Sequence, residues 1–189
     1  MSVFVHPTAE VADSATIGEG TKVWSLCQVR PGAVLGTECI VGRNCFIDTD
    51  VHVGSRVKIQ NNCSLYEGVT IEDGVFIGPH VVFTNDLYPR AINPNGTLKT
   101  TDDWVLGRTV VRSGAALGAR TVIVTGVEIG HWAMTGSGSV VTRDVPDHAL
   151  VVGSPARIIG YISAGGTRCD SADQARRLTA LEQQEGAPS

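Results

Sequence analysis

The sequence predicts an all-β chain wound into a triangular β-helix, and two patterns carry that prediction. Counted in sixes from Val5, the chain reads Val5, Val11, Ile17, Val23, Val29, Leu35, Val41, Ile47, Val53, Ile59, Leu65, Ile71, Ile77 and Phe83, all large and apolar. With 42% hydrophobic residues, chance gives such a run in one chosen phase roughly five times in a million. A helix repeats every 3.6 residues and a strand every two, so neither accounts for a period of six. Two residues before each ruled position the side chain is small or β-branched, from Ala9, Ala15 and Thr21 to Val69, Val75 and Val81. A hexad is then one short strand and one corner. Three hexads close one coil of 18 residues, and stacked coils hydrogen-bond about 4.8 Å apart.

The bulk composition agrees. At 189 residues the chain is one domain, or one domain with a tail. Aromatic residues are 5% and glycines number 22, which suits short strands and many turns. A net charge of −4 gives no basis for nucleic acid or an anionic membrane as partner. The start "MSVFVHPTAEV" has no basic segment and no apolar run reaches spanning length, so a soluble, cytoplasmic protein is expected.

From Val5 to Phe83 the hexads are unbroken. Glycine often follows the ruled residue (Gly18, Gly36, Gly42, Gly54, Gly78, Gly118, Gly130, Gly136), where a corner is expected to need a compact residue or a positive φ. Cys27, Cys39, Cys45 and Cys63 fall at the small inward position, with Cys27, Cys45 and Cys63 in one column. No CxxC spacing is present, so these read as reduced packing residues. Gln60, Asn61 and Asn62 are expected to form an amide ladder at a corner.

The rhythm stops at Phe83. The stretch "GPHVVFTNDLYPRAINPNG" is expected to leave the prism at Thr84 and return near Trp104, a protruding loop over about 84–104. Loops of that length inside compact domains are usually functional. The hexads resume in another phase at Val105, then Val111, Leu117, Ile123, Ile129, Thr135 and Val141. Residues 18 apart share a wall. Arg30, Asp48, Tyr66 and Thr84 therefore form one column, Pro31, Thr49, Glu67 and Asn85 the next, and Gly32, Asp50, Gly68 and Asp86 the third. Solvated turns are rich in Asp and Asn anyway; the long loop at the end of this ladder favours a site.

From Tyr161 the hexads are gone. Ser171 with Gln174 gives a capping-box pattern, and Ala175, Leu178 and Leu181 supply one apolar side, so a short helix is expected. The final "EGAPS" is expected to be mobile. The organisation is a β-helix unit over 1–160 and a tail over 161–189.

The hexads and the closing "IGHWAMTGSGSVVTRDVPDHALVVGSPARIIG" resemble the hexapeptide-repeat acyltransferases, over about residues 5 to 160. The resemblance implies left-handed coils, homotrimers with active sites between subunits, and acetyl-CoA bound toward the closing segment. "KIQNNCSLYEGV", "FIGPHVVFTNDLYPRA" and "VVGSPARIIG" are similar to the branch that N-acetylates amino groups on nucleotide-linked deoxysugars. Within it, the group acting on 3-amino-3-deoxyhexoses carried on UDP or dTDP matches best, making precursors of bacterial surface polysaccharides or glycosylated natural products. Asn85 and Asp86 are then the candidate catalytic residues. Arg30, Gln60, Asn62, Tyr66, Glu67, Thr84 and Arg90 are candidate contacts to the nucleotide sugar. Ala116, Gly118, Gly136, Thr142, Arg143 and Arg157 are candidates for coenzyme A, the arginines because a guanidinium reads phosphate bidentately.

Such a reaction is attack of a neutral amine on a thioester carbonyl, through a tetrahedral oxyanion. It needs a positioned amine, a donor for the oxyanion and an acceptor for the proton. Many hexapeptide acetyltransferases use a His in a stretch like "ANHP"; here "TNDLYP" has none. Asn85 can orient the amine, and Asp86 can accept a hydrogen bond from it or hold its charge. An ordinary Asp, with a reference pKa of about 3.9, is a weak base, unless Asp50 and Glu67 stand close enough to raise it. The departing thiolate is the other acceptor, and the sequence fits both. His6 lies in an "HPTA" opening and reads as structural, while His80 and His131 are alternative bases. His52, His80, His131 and His148 fall in different phases, against a carbonic anhydrase-like site with three His around zinc. No metal is expected. The remaining rival, a non-catalytic scaffold, needs neither the loop nor the closing segment.

Overall fold

A computed structural model describes residues 2–185. The chain winds as a left-handed parallel β-helix of about 8 turns with one C-terminal helix. Its first face runs from Phe4–Val5 through Lys22–Val23, Ile40–Val41, Lys58–Ile59, Phe76–Ile77 and Ala116–Leu117 to Met134–Thr135 and Ala149–Gly153. The second face runs from Glu10–Val11 to Val140–Val141, and the third from Thr16–Ile17 to Glu128–Ile129. Each strand pairs in parallel with the one a coil away, as in Lys22↔Ile40, Gln28↔Phe46 and Val34↔His52. From Val23 to Phe83 every ruled side chain is 0–2% exposed, as an inward position in a closed coil requires. Val5 is 38% exposed, because the first coil has no coil beneath it.

The small inward column is equally ordered. Cys27, Cys39, Cys45 and Cys63 are free and buried. Their thiols donate to the carbonyls of Gly42, Gly54, Gln60 and Gly78 at 2.9 to 3.1 Å. Burial pushes the Cys39 thiol up, which suits an inert packing group.

The glycines after the ruled residues are needed for space and not for φ. A β-carbon on Gly36 would come within 2.6 Å of the Gly54 backbone, and one on Gly118 within 2.6 Å of Ser137 N. The positive φ lies two residues later, at Leu26, Glu38, Asn44, Asp50, Arg56, Asn62 and His80 among others. The amide ladder forms in part. Asn61 Oδ1 accepts from Arg43 N at 3.0 Å and Asn62 Oδ1 from Asn44 Nδ2 at 2.9 Å. Gln60 takes no part in it.

The chain leaves the prism after Val82–Phe83 and re-enters at Thr109–Val111, which pair with Val69–Ile71 below and Glu128–Ile129 above. Val105 is therefore not a ruled position; it is 87% exposed, and the second run starts at Val111. The excursion carries its own structure. An Ile92↔Leu98 bridge encloses a turn in which Asn93 N donates to Thr97 O at 2.8 Å. A 3-10 turn follows at Thr101–Asp103, with Thr100 N donating to Asp103 Oδ2 at 2.8 Å. Across the interruption Arg112 fastens three coils, bonding Glu72 at 2.8 Å and Glu128 at 2.9 Å.

The far end closes differently from the coils. After Ala149–Gly153 the chain reverses, and Ala156–Ile162 and Arg168–Cys169 add antiparallel strands to the first face. The helix Ala172–Glu185 packs on them through buried Ala175 and Thr179, with Leu178 half-buried. Leu181 stays exposed, against expectation, because that helical turn is held by polar contacts instead. There Glu182 accepts from Ser163 Oγ and Gly165 N at 2.7 Å. Ser171 Oγ caps Gln174 N at 3.2 Å, while Gln174 Oε1 reaches back to Asp170 N at 2.9 Å. Residues 186–189, most of the segment expected to be mobile, lie outside the described residues. Among the described residues no helix is long and apolar enough to cross a membrane.

Candidate functional site

The corner after the second face carries the polar ladder. Parallel pairing along Gln28, Phe46, Ser64 and Val82 stacks Arg30, Asp48, Tyr66 and Thr84 on successive coils. Asp48 is committed locally: Oδ1 accepts from Thr49 N at 2.8 Å and Oδ2 from Glu67 N at 3.4 Å. The exposed Tyr66 ring leans on Phe46, centroids 5.6 Å apart. Thr84 Oγ1 accepts from Thr125 N at 3.0 Å, fastening the loop exit to the coil above. Asn85 O accepts from Gly107 N at 3.1 Å, so exit and return pinch the loop at its root. The half-buried Asn85 side chain makes no hydrogen bond among the described residues, which leaves its amide available. Asp86 is half-buried, and its Oδ1 accepts from Tyr88 N at 2.8 Å.

The third column does not form as expected. Leu106 and Gly107 fill the space beside Gly68, and Thr109 N donates to Gly68 O at 3.0 Å. The returning chain therefore stands over Gly68, and Asp86 is displaced from the column. Asp50 lies against Gly32, where a β-carbon would collide with its carboxylate. The stacking of Asp86 over Asp50, the arrangement expected to surround it with acids, is absent.

The other candidates divide between edges of the prism. Glu67 shares the loop corner, and Arg90 lies further out, its Nη1 donating to Pro89 O at 2.9 Å. Gln60 and Asn62 stand at the corner after the first face, where Asn62 Nδ2 approaches His80 Nε2 at 3.3 Å. Gly118 and Gly136 stack above Gly78 on that same corner, bonded upward to Thr135 O at 3.0 Å and Val151 O at 2.7 Å. Their missing side chains leave a bare backbone edge. Ala116 is half-buried on the outer first face, opposite Met134. Thr142 and Arg143 are exposed at the loop corner, two coils above Thr84. Exposed Arg157 lies on the antiparallel hairpin, donating to Ala156 O at 2.9 Å. The coenzyme candidates thus form a glycine edge and separate arginines, not one cluster.

The histidines are dispersed. His6 contacts Thr8 Oγ1 at 3.0 Å, and His52 Nδ1 lies 2.9 Å from Asp50 O. His148 is buried with Nδ1 donating to Ile162 O at 3.0 Å, while His80 and His131 are exposed on different corners. Among the described residues no group of three or more His, Cys, Asp or Glu is arranged to hold a metal ion. The hexads gave no sign of the Arg112 cluster. Burial pushes Glu72 up, but bonds from Arg112 and Ser113 together outweigh it and hold the carboxyl below its ordinary value.

Comparison with known proteins fixes the family. The family described as bacterial transferase hexapeptide (six repeats) matches residues 14–49 and 50–85. A dTDP-3-amino-3,6-dideoxy-alpha-D-galactopyranose 3-N-acetyltransferase of Aneurinibacillus thermoaerophilus is 46% identical over 160 residues, 84% of this chain and 78% of that protein. This chain belongs to the hexapeptide-repeat transferases. Among solved structures, a hexapeptide-repeat acetyltransferase of Vibrio cholerae is similar to this transferase with a TM-score of 0.58 and 27% identity, covering 67% of this chain and 72% of that one. A GDP-perosamine N-acetyl transferase of Caulobacter crescentus, in complex with CoA and GDP-perosamine, shares the fold at a TM-score of 0.56 and 24% identity. The match covers 85% of this transferase and 57% of that chain.

Proposed function

We propose that this transferase moves the acetyl group of acetyl-CoA onto the amino group of a nucleotide-diphosphate-linked amino-deoxysugar. A 3-amino-3-deoxyhexose on dTDP or UDP is the favoured substrate. The observation that carries this is the 46% identity, over 84% of the chain, to a protein whose name states that reaction on a dTDP sugar.

The chemistry is assigned to the loop root. The amine lone pair attacks the thioester carbon, the C–N bond forms, and the carbonyl electrons move to oxygen. Collapse of that oxyanion breaks the C–S bond, and coenzyme A leaves as the thiolate. Asn85, its amide free of internal partners, orients the amine. Asp86 keeps Oδ1 on Tyr88 N and offers Oδ2 to an amine hydrogen. The proton passes to Asp86 or directly to the departing thiolate. Tyr66, Glu67, Thr84, Arg30 and Arg90 line or flank the sugar side, with Gln60 and Asn62 on a second edge. Gly118 and Gly136 provide a side-chain-free edge for the pantetheine arm beside Ala116. Thr142, Arg143 and Arg157 meet the phosphates.

The working unit is a homotrimer with sites between subunits. In one chain Leu87, Tyr88 and Leu98 are exposed on the loop. A neighbouring copy would cover them and wall off the site. We propose a cytoplasmic location for this reaction. The test follows thiol release from acetyl-CoA against a panel of nucleotide-linked 3-amino and 4-amino sugars. Release is expected with a dTDP- or UDP-linked 3-amino sugar; silence across the panel would sink the assignment.

A further inference from the structure

A groove of about 400 Å³ lies on the corner after the first face, away from the loop. Its lining includes Trp24, Ile40, Gly42, Arg43, Lys58 and Gln60, and no acidic residue. Trp24 is 43% exposed, with Phe4 packed against its ring at a centroid distance of 5.4 Å. The pairing Val23↔Val41↔Ile59 sets Trp24, Gly42 and Gln60 on successive coils of one corner. Because Gly42 has no side chain, one layer is missing from that stack. Trp24 and Gln60 stand two coils, about 9.6 Å, apart along that corner, with no side chain on the coil between them. A residue with a β-carbon cannot fill the gap, since at Gly42 it would come within 2.6 Å of Asn61 Oδ1.

The charges around the gap point the same way. Lys22, Lys58 and Lys99 are the only lysines in a chain of net charge −4, and two of them stand on this face. Arg56, Arg112 and Arg176 are each paired with a carboxylate. Arg43 and Lys58 form no ion pair among the described residues. A half-exposed indole, a gap at Gly42, a free amide and two unpaired cations around one groove match a pyrimidine nucleoside diphosphate. We infer that this groove binds the nucleotide carrier of the substrate, with the base stacked on Trp24 over Gly42 and the diphosphate between Arg43 and Lys58. Gln60 meets the edge of the base, where one amide can accept from the N3–H of thymine or uracil and donate to a flanking carbonyl. Stacking on an aromatic ring and Arg contacts to phosphate are established means of holding such groups.

This rests on the acetyl-transfer reading and adds the carrier site to it. The base layer lies two coils, about 10 Å, below the coil of Asn85 and on another edge. In the proposed trimer, the sugar of a nucleotide held here would have to reach the loop of an adjoining copy.

The test is equilibrium binding of dTDP and of UDP to the intact protein by calorimetry, with coenzyme A as the control ligand. Trp24→Ala and the double variant Arg43→Ala/Lys58→Ala should each bind the nucleotide at least 10-fold more weakly, with coenzyme A affinity unchanged. Trp24→Phe keeps a ring and should restore most of the affinity. In kinetics, KM for the nucleotide sugar should rise in Trp24→Ala by a similar factor while kcat is retained. Nucleotide affinity equal to wild type in both weakened variants would overturn the inference. The two readings fail separately. Weakened dTDP binding with no acetylation of any amino sugar leaves the groove standing and removes the reaction. Acetylation with an unchanged nucleotide-sugar KM in Trp24→Ala removes the groove alone.

Discussion

Ile59 and Val5 hold the same place in the hexad, and the fold predicts very different costs for emptying them. Ile59 is 0% exposed, between Val41 and Ile77 on adjoining strands, both also 0% exposed. Ile59→Ala removes three carbons, about 2.4 kcal/mol at about 0.8 kcal/mol for each buried CH2. The walls are strands hydrogen-bonded in a closed coil and cannot collapse inward, so a cavity cost adds to that. The total should be about 4 kcal/mol, inside the usual range of about 2–5. Val5→Ala removes two carbons from a side chain 38% exposed at the open end, which should cost about 1 kcal/mol or less. Urea unfolding at one fixed protein concentration measures both, with equal slopes required for the comparison. Equal midpoints for the two variants would show that the six-residue count does not mark the core.

The Arg112 cluster predicts a pH effect. Glu72 and Glu128 are held below the ordinary carboxylate value, Glu128 chiefly by its bond from Arg112. A depressed folded value stabilises above the unfolded one, about 4.3 for Glu, and that stability is lost as pH falls through the folded value. Arg112→Met should therefore melt below wild type at pH 7, with the two Tm curves converging in acid; parallel curves would exclude the cluster as the cause. Arg143→Ala should raise KM for acetyl-CoA about tenfold with kcat unchanged, the signature of lost ground-state binding to phosphate; an unaltered KM removes Arg143 from that site. Sedimentation should give three times 19.9 kDa, and a fully active monomer would refute the shared site.

How far the sequence spoke depends on whether a feature is local. Ile59 or Leu65 must turn inward on every coil, so their period is visible residue by residue. The size limit at Gly36 and Gly118 was also legible. The positive φ at Leu26 and Arg56 was not, because the coil imposes it on residues that do not prefer it. The exit at Phe83 could be read from the broken count, but the return could not. Val105 fits the count, yet register is set by the remote pairing of Thr109–Val111 with Val69–Ile71. The same remote return displaced Asp86 from its column and left Thr84 and Asn85 at the corner as expected. Three further features depend on neighbours far along the chain. They are the Arg112–Glu72 bond, the Trp24 slot emptied by Gly42, and the antiparallel turn after Gly153.

We propose the interruption of the prism as the seat of the chemistry, and the most direct measurement is kcat for Asn85→Ala and Asp86→Asn on the best amino sugar across pH. Asn85→Ala should lower kcat by about 10²-fold or more, the scale of a lost positioned group, while trimer mass and acetyl-CoA affinity stay as in wild type. A comparable loss in Asp86→Asn, with the acid limb of the profile abolished, would assign the proton to Asp86. A small loss there would assign it to the thiolate. Near-normal kcat in both variants would contradict the assignment and move the search to His80 and His131.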